Sequence, residues 1–382
     1  MKTNAAVLWG RNQDWKIEEI DLDPPKDQEV LVRWVAAGLC HSDEHIRSSD
    51  MGSPEEVRRA AGLPPLFPVI GGHEGGGVVL EVGPGVRHLR PGDHVAASFF
   101  PVCDHCKMCV TGHTNLCDLG AATFTVGQIS DGTSRHHLRG EDINFMAKVG
   151  TFAEHSVVHE ASLVKVDPDV PLSVVALVSC GVTTGWGSAV YRAEVRPGET
   201  VVVVGTGGVG MNAVQGARMA GAATIVAVDP VPFKQKAALE FGATHTAASM
   251  EEALPIVTEL TRGAMADAVV LTPSVMYGDL MKAALSLTGK GGTCVVTAVA
   301  PQTQTECSIN LFELAMWQKE VRGVVFGAGN PRYDIPNLLS LYRSGQLKLD
   351  ELITNTYRLD QINQGYQDML DGLNIRGILT LE

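Results

Sequence analysis

A glycine-rich turn at the end of a run of valines constrains the fold of this chain more than any other feature. The run 200–204 is typical of a buried parallel strand, and residues 205–210 fit the pattern G-x-G-x-x-G. A helix is predicted over 211–220 and a second strand over 224–229. Strand, glycine turn, helix and strand form a Rossmann unit, in which the turn and the helix N-terminus hold a dinucleotide pyrophosphate. The turn residues expected to contact that cofactor are Gly205, Gly207, Gly208, Val209 and Gly210.

The acidic residue that ends the second predicted strand indicates which dinucleotide binds. Asp229 lies 19 residues beyond Gly210, where a Rossmann unit places the carboxylate that binds the adenosine ribose. A 2′-phosphate would meet this negative charge, so Asp229 favours NAD over NADP. Lys234 is close enough in sequence to help on the ribose side. Another strand is predicted over 292–299, and we include Val299, at its end, among the cofactor-binding residues.

The first half of the chain has a different texture. Short strand patterns such as 29–36, 77–82 and 92–97 are separated by Gly and Pro turns. This pattern predicts a β-rich, barrel-like module and not a βαβ unit. Residues 120–150 are predicted to be a surface excursion. The chain is therefore expected to be an α/β protein, with a β-rich domain followed by a doubly wound parallel sheet.

Four cysteines in one short segment carry the most specific chemical signal. Their spacing, C-x2-C-x2-C-x7-C, matches a closed tetrahedral zinc site that has no position left for a substrate. Such a site is structural, because it holds together a lobe, here residues 100–120, that is too small to have its own core. Disulfides and an iron–sulfur cluster are the alternatives, and the spacing differs from that of ferredoxins. The predicted ligands are Cys103, Cys106, Cys109 and Cys117.

A second group of metal ligands is spread along the chain. Cys40 ends a predicted strand, His73 and Glu74 lie in a glycine-rich stretch, and Cys180 precedes the glycine turn. Two thiolates and an imidazole suit zinc, and Glu74 would orient a ligand or transiently replace one. We interpret Cys180 as the last ligand of a zinc ion at a domain junction, towards which the reactive ring of the cofactor reaches. The alternative for residues 71–77 is a glycine-rich hairpin with a satisfied buried histidine.

The segment that follows Cys40 offers groups for proton transfer. Ser42 and His45 are spaced three residues apart, so they share one face of a short predicted helix. A hydroxyl, the cofactor ribose and a surface imidazole, in that order, would carry a proton from a buried alcohol to water. Asp43 is close enough to Cys40 to act behind the metal ligands. The alternative is an ordinary helix cap with a surface histidine.

Charge and composition argue against other classes of function. A net charge of −13 disfavours nucleic-acid and anionic-membrane partners, since both need a basic surface. We see no signal peptide, and no run reaches the ~18 apolar residues of a membrane span, so we expect a cytoplasmic protein. Five of the eight cysteines fall between Cys40 and Cys117. In a cytoplasmic chain such clustering indicates metal binding more than disulfides.

These motifs, in this order along the whole chain, closely resemble the zinc-dependent alcohol dehydrogenases of the medium-chain dehydrogenase/reductase superfamily. The resemblance implies a catalytic zinc on Cys40, His73 and Cys180 and a structural zinc on the four clustered cysteines. It therefore implies two zinc ions per chain together with NAD(H). It also implies roles for single residues: proton relay for Ser42 and His45, pyrophosphate contact for His41 and Arg376, nicotinamide contact for Thr184, and the substrate pocket for Phe99.

The family's fold implies a GroES-like β-rich catalytic domain and a Rossmann domain that binds NAD. We expect residues 1–181 and 325–382 to form the catalytic domain and residues 182–324 the Rossmann domain. The implied reaction oxidises small alcohols to aldehydes, with primary alcohols as substrates, and a homodimer or homotetramer is expected.

Within this family the chain looks most like the actinobacterial NDMA-dependent alcohol dehydrogenases. These are nicotinoproteins, which keep NAD(H) bound through turnover and pass electrons to an external acceptor. Residues 48–68 form a longer segment than the liver-type enzymes carry, and we expect it to cap the site and hinder cofactor exchange. The alternatives are a thiol-dependent formaldehyde dehydrogenase with the same zinc and fold, and a non-catalytic NAD-binding redox sensor.

Overall fold

The computed structural model describes residues 1–48, 55–60, 62, 64–124 and 127–381. The segment 48–68, predicted to cap the site, lies partly outside these residues. Two compact units divide the chain, Met1–Cys180 together with Asn330–Glu382, and Gly181–Gly329.

The strands and helices change along the chain as predicted, from mostly short strands in the first half to alternating strands and helices in the second. The strands are β1 Lys2–Leu8, β2 Lys16–Leu22, β3 Glu29–Gly38, β4 Val69–Ile70, β5 Gly75–Val82, β6 His94–Ala97, β7 His136–Leu138, β8 Glu141–Asp142, β9 Asn144–Phe145, β10 His155–His159, β11 Leu163–Val166, β12 Thr200–Val204, β13 Thr224–Val228, β14 His245–Ala247, β15 Ala266–Leu271, β16 Thr288–Val296, β17 Glu320–Gly323, β18 Ile353–Arg358 and β19 Arg376–Thr380. The α-helices are α1 His41–Ser48, α2 Glu55–Ala60, α3 Lys107–Val110, α4 Leu172–Leu177, α5 Thr183–Gly187, α6 Gly208–Met219, α7 Pro232–Phe241, α8 Met250–Leu260, α9 Leu280–Leu287, α10 Leu311–Met316, α11 Pro331–Arg343 and α12 Ile362–Leu370.

Two sheets build the first unit. One has the strand order β8-β7-β2-β1-β4-β9, and the other has the order β11-β6-β5-β3-β19-β18, with β10 paired to β3. Most neighbouring strands are antiparallel, as the short strand patterns bounded by Gly and Pro predict. The fully buried Trp34 on β3 and Phe152 belong to one core, in which Trp15 packs edge-on against Phe152 with ring centroids 5.6 Å apart.

The second unit is the predicted doubly wound parallel sheet. Its strand order is β14-β13-β12-β15-β16-β17. The first of these strands along the chain, β12, lies in the middle; β13 and β14 are added on one side of it, and β15, β16 and β17 on the other, which is the Rossmann arrangement. Every pairing along it is parallel. The valines of β12 are buried because the strand is central, which explains why its sequence is continuously apolar instead of alternating. The carboxyl end of β12 leads directly into the glycine turn.

The prediction of a surface excursion at 120–150 was wrong. Strands β7 and β9 of this segment join the first sheet, pairing with β2 and β4. Arg135, fully buried, donates to both carboxylate oxygens of the equally buried Glu29 at 2.8 Å. Its remaining nitrogen donates to the carbonyls of Thr133 and Ser134. The segment is therefore fastened to the start of β3 by a buried, hydrogen-bonded ion pair.

One helical stretch, Leu172–Arg192, is long and apolar enough to cross a membrane by length and composition. Within its most apolar window, 83% of the residues are buried inside the protein. Such burial is the pattern of a core helix, so the stretch is weak evidence for a membrane span.

Replacing one partner of the Glu29–Arg135 pair should destabilise the fold strongly. Glu29→Gln leaves the partly exposed Asp131 carboxylate, 2.8 Å from Arg135 Nη2, as the remaining opposing charge, so the loss should be about 3 kcal/mol, the lower end for removing one partner of a buried pair. Urea unfolding followed by circular dichroism measures this loss. The matched control is Glu19→Gln, which removes an exposed ion pair with Lys2 and should cost less than about 1 kcal/mol. Equal losses in the two variants would contradict a supporting role for the buried pair.

Candidate metal centre and dinucleotide turn

The first unit brings together three distant segments that carry metal-ligating side chains. Ligand atoms of Cys40, His73, Glu74 and Cys180 lie within 4.8 Å of one another, and all four residues are buried. Two thiols, an imidazole and a carboxylate form a donor set that suits Zn²⁺. The predicted ligands therefore fit the metal that the family resemblance implies.

Close backbone packing positions Cys40 and Cys180. Cys40 lies between the end of β3 and the start of α1, and the buried Tyr366 hydroxyl donates to its carbonyl at 3.5 Å. Cys180 lies in the middle of a π-helical segment, Val178–Val182, and such segments are frequent at functional sites because they displace one residue from the helical register. The neighbouring Ser179 hydroxyl accepts from the Gly75 amide at 3.2 Å, which links this segment to the start of β5.

Asp43 orients the imidazole of His73. Its Oδ2 lies 3.0 Å from His73 Nδ1, and its Oδ1 accepts from the Gly72 amide at 2.7 Å. Burial acts to lower the pKa of His73, but the Asp43 carboxylate and the Cys40 thiolate raise it more, so the pKa lies well above its usual value. With Nδ1 facing Asp43, Nε2 remains for a metal ion. Asp43, predicted from its nearness to Cys40 in sequence, thus lies beside the His73 imidazole.

Arg376 lies against the metal centre. Its guanidinium is buried and contacts the Glu74 carboxylate and the Leu39 carbonyl. Burial raises the pKa of Glu74 to about 7, although the Arg376 guanidinium acts to lower it. A Cβ built on Gly38 would lie 1.9 Å from Glu74 Oε2 and 2.8 Å from Arg376 Nη2, so only glycine leaves room for this ion pair. The sequence did not predict this contact, because nothing in the spacing of a lone arginine on β19 indicates its partner.

The two thiols of the cluster interact through a hydrogen bond in which Cys180 is the donor. A hydrogen bond from Cys180 is the main factor that holds the pKa of Cys40 well below its usual value. The same contact raises the pKa of Cys180 well above its usual value. A metal ion that binds both sulfurs as thiolates displaces the proton of this hydrogen bond.

The relay candidates lie on α1 beside the metal centre. The Cys40 thiol donates to the Ser42 hydroxyl at 3.8 Å. His45 was expected at the surface, but it is only 3% exposed, and its ring centroid lies 6.0 Å from that of the partly exposed His41. Phe99 contacts the site directly, because its ring meets the His73 ring edge-on at a centroid distance of 5.4 Å.

The four clustered cysteines also converge. Their sulfurs lie within 4.8 Å of one another. The nearby His105 and His113 do not belong to this set of potential metal ligands. Backbone amides point at the sulfurs: the Cys106 amide donates to Cys103 at 3.3 Å, and the Cys103 amide donates to Cys117 at 3.4 Å. Backbone N–H groups of Asp118 and Cys109 lower the pKa of Cys106 to about 6, whereas burial raises the pKa of Cys117 to about 12. The set suits a closed tetrathiolate zinc site.

In the second unit, three glycines of the turn, Gly205, Gly207 and Gly210, each have a separate structural reason. Gly205 has φ +85°, and a Cβ there would lie 2.5 Å from the Thr272 carbonyl oxygen. A Cβ on Gly210 would lie 1.8 Å from the Gly205 carbonyl oxygen. A Cβ on Gly207 would meet no atom of the other described residues within 4 Å, and this residue caps α6 without a side chain. The turn therefore leaves space and unpaired helix N–H groups where a pyrophosphate approaches.

Asp229 lies at the carboxyl end of β13, beside this turn. Its carboxylate accepts from the Thr206 amide at 2.8 Å and from the Val231 amide at 2.9 Å. Lys234, on α7, is partly exposed, as is Thr184 on α5. Val299 follows β16 instead of ending it, and its carbonyl accepts from the Met276 amide at 2.8 Å.

The two cysteine clusters predict separable losses of metal. We expect Cys40→Ser and Cys106→Ser each to lower the metal content of the purified chain by about one equivalent, because each removes a thiolate from a different site. Plasma mass spectrometry of the purified protein measures the content. Cys307→Ser, which changes an exposed cysteine outside both clusters, is the control. If the double variant Cys40→Ser/Cys106→Ser lost no more metal than either single variant, the two clusters would not be separate sites.

Comparison with known proteins agrees with this arrangement. The family model of the alcohol dehydrogenase GroES-like domain matches residues 26–168, and that of the zinc-binding dehydrogenases matches residues 208–344. Alcohol dehydrogenase B of Mycobacterium tuberculosis is 48% identical over 99% of this chain and 98% of its own length. The NDMA-dependent alcohol dehydrogenase of Amycolatopsis methanolica is 48% identical over 99% of both chains.

A solved structure shares the fold over the full length. The benzyl alcohol dehydrogenase of Acinetobacter calcoaceticus superposes with a TM-score of 0.88, at 29% identity and 100% coverage of both chains. The predicted combination of a GroES-like domain and a Rossmann domain is thereby confirmed. The chain belongs to the zinc-dependent alcohol dehydrogenases of the medium-chain dehydrogenase/reductase superfamily.

Proposed function

We propose that this enzyme oxidises primary alcohols to aldehydes, and catalyses the reverse reaction, by hydride transfer to and from an NAD(H) that stays bound through turnover. An external acceptor then reoxidises the cofactor. The observation that carries the proposal is the convergence of Cys40, His73 and Cys180 on one buried point. Three protein ligands are typical of a catalytic zinc site, because they leave a coordination position for substrate.

The contact between Glu74 and Arg376 supports three ligands instead of four. Glu74 belongs to the same cluster, but its carboxylate faces the buried Arg376 guanidinium. A carboxylate that compensates a buried cation is held away from the metal by the cost of leaving that cation unpaired. We infer that Glu74 tunes the charge of the site and that Cys40, His73 and Cys180 hold the ion.

Zinc bound there supplies Lewis acidity that lowers the pKa of an alcohol hydroxyl. The side chains of α1 take up the released proton. Ser42 is the first acceptor, because its hydroxyl lies beside Cys40. The cofactor ribose would then link Ser42 to His45, one helical turn further on the same face, and His45, which is 3% exposed, would pass the proton on towards solvent.

We propose that Phe99 lines the substrate pocket, because its ring packs against His73. An aromatic ring at this position favours substrates with an apolar group next to the hydroxyl-bearing carbon. We propose Gly205, Gly207 and Gly210 as the pyrophosphate cradle and Asp229 as the ribose ligand. His41, Thr184, Lys234, Val299 and Arg376 remain proposed cofactor contacts, although the contact of Arg376 with Glu74 gives that residue a second role.

The relative from Amycolatopsis methanolica, 48% identical over nearly the whole chain, favours retention of the cofactor and use of an external acceptor. Purification without added nucleotide, followed by denaturation, should release about one NAD(H) per chain and about two zinc ions. The same preparation should oxidise a primary alcohol with NDMA as acceptor and no added NAD.

The matched control for this assay is Cys40→Ser, which should keep its circular dichroism and its bound nucleotide but lose turnover. Turnover that requires added NAD would overturn the retained-cofactor part of the proposal. Aldehyde oxidation that requires an added thiol would favour the formaldehyde dehydrogenase alternative. A redox sensor without catalysis would lose nothing measurable on Cys40→Ser.

The charge of Asp229 should decide between NAD and NADP. In Asp229→Asn the side chain keeps its size but loses the charge that opposes a 2′-phosphate, so the NADP/NAD affinity ratio should rise about tenfold, or ~1.4 kcal/mol. Fluorescence titration of the nucleotide-stripped protein with each cofactor measures the ratio. Asp267→Asn is the control, because Asp267 also accepts from a backbone amide, that of Thr200 at 2.8 Å, at the opposite end of β12. An unchanged ratio in Asp229→Asn would show that the carboxylate does not select the cofactor.

A further inference from the structure

One arginine outside the four-cysteine lobe, Arg332, contacts the residues on both sides of Cys103. Arg332 Nη1 contacts the Asp104 carboxylate, and Arg332 Nη2 donates to the Val102 carbonyl at 2.9 Å. Val102 and Asp104 are the immediate neighbours of Cys103, and Arg332 is 228 residues away from Asp104 in sequence. A planar guanidinium that binds two acceptors fixes their separation as well as their position.

The backbone at Asp104 connects this contact to the sulfurs. Asp104 has φ +66°, a left-handed conformation that is uncommon for residues other than glycine. Its backbone N–H points at the Cys109 sulfur. In the same loop, the Cys106 amide donates a hydrogen bond to the Cys103 sulfur at 3.3 Å. Holding Asp104 in this conformation therefore holds amide donors on two of the four sulfurs.

Hydrogen bonds fix the backbone of Arg332 at the start of α11. Arg332 is the second residue of α11, and its amide is capped by the Asn330 side chain at 3.1 Å. The Asn330 amide in turn donates to the buried Asp334 carboxylate at 2.6 Å. A helix start fixed by these two hydrogen bonds is a firm support for a side chain that must position a small lobe.

We propose that Arg332 is a positioning residue of the four-cysteine lobe. It holds residues 102–104, which include Cys103, against α11 and so slows the loss of the metal bound by the lobe. The inference rests on the proposed structural zinc. It concerns the retention of that metal and not the chemistry at Cys40.

Metal release from the purified holoenzyme to an excess of a chromophoric chelator tests the proposal. Arg332→Ala should release one of the metal equivalents about tenfold faster than the natural chain, the lower end of the effect of removing groups that orient metal ligands. The matched control is Arg343→Ala, on the last turn of the same helix, which breaks ion pairs with Asp167 and Asp169 at 2.6 and 2.9 Å away from the lobe. This control should leave the release rate unchanged.

Cobalt substitution separates positioning from general loosening of the fold. The thiolate-to-Co²⁺ charge-transfer bands of the lobe should shift in Arg332→Ala and not in Arg343→Ala. Arg332→Lys, which keeps the charge but loses the two-acceptor geometry, should fall between the natural chain and Arg332→Ala in release rate. Asp104→Ala combined with Arg332→Ala should release metal no faster than the faster single variant, since the two side chains act through one contact.

The natural chain provides a test that needs no variant. The Arg332 and Asp104 side chains are 36% and 61% exposed, so salt screens their attraction. Raising the salt concentration should accelerate metal release in the natural chain towards the Arg332→Ala rate and leave that variant almost unaffected. A release rate in Arg332→Ala within about twofold of Arg343→Ala, with unchanged cobalt bands, would overturn the inference. A purified chain with no metal in the lobe would instead contradict the proposed structural zinc, and it would be recognised before any release is measured.

Discussion

The buried ion pair of Glu74 and Arg376 is the interaction on which the metal centre depends. It joins the loop that carries His73 to β19, near the end of the chain, and the same guanidinium binds the Leu39 carbonyl beside Cys40. Three segments far apart in sequence are thus fixed by one cation. An isolated charge in such a place would be prohibitive, so each partner is tolerated only because the other is present. The glycine at position 38 is part of the same arrangement, since any side chain there would occupy the space of the pair.

Charge balance gives this pair a chemical consequence as well as a structural one. Two thiolates with Zn²⁺ form a neutral group, and the neutral imidazole of His73 does not alter that sum. Glu74 and Arg376 add opposite charges that also cancel. The buried Asp43 carboxylate beside His73 adds one more negative charge, so with zinc bound these groups would carry one net negative charge, and without Arg376 they would carry two.

Local patterns predicted the parts of the structure in which chemistry is encoded by spacing. The four clustered cysteines and the glycine turn depend on residues a few positions apart, and Asp229 depends on a spacing of 19 residues from Gly210, so each could be predicted from sequence. The convergence of Cys40, His73 and Cys180 was predicted through the family resemblance, because separations of 33 and 107 residues carry no geometric signal of their own. The partner of Arg376 and the buried position of His45 were missed for the same reason.

The segment 120–150 shows where pattern reasoning fails. Its Gly and Asp residues are typical of turns, and they do form turns, but the strands between them pair with β2 and β4. Charged residues such as Arg135 look like surface positions when their partners are unknown. The partner, Glu29, is about a hundred residues earlier in the chain. Only the folded chain reveals that the two charges cancel inside the protein.

The two cysteine clusters are supported in different ways, and the difference follows from their surroundings. The Cys40 cluster is enclosed by the core of the first unit, so side chains with charges, Asp43 and Arg376, orient its ligands and are themselves protected from water. The lobe of Cys103 has three partly exposed cysteines and orients its sulfurs mainly with backbone amides. Backbone donors keep their direction only while the loop keeps its conformation. A small lobe without a core therefore depends on contacts made from outside it, and in this chain the start of α11 supplies them.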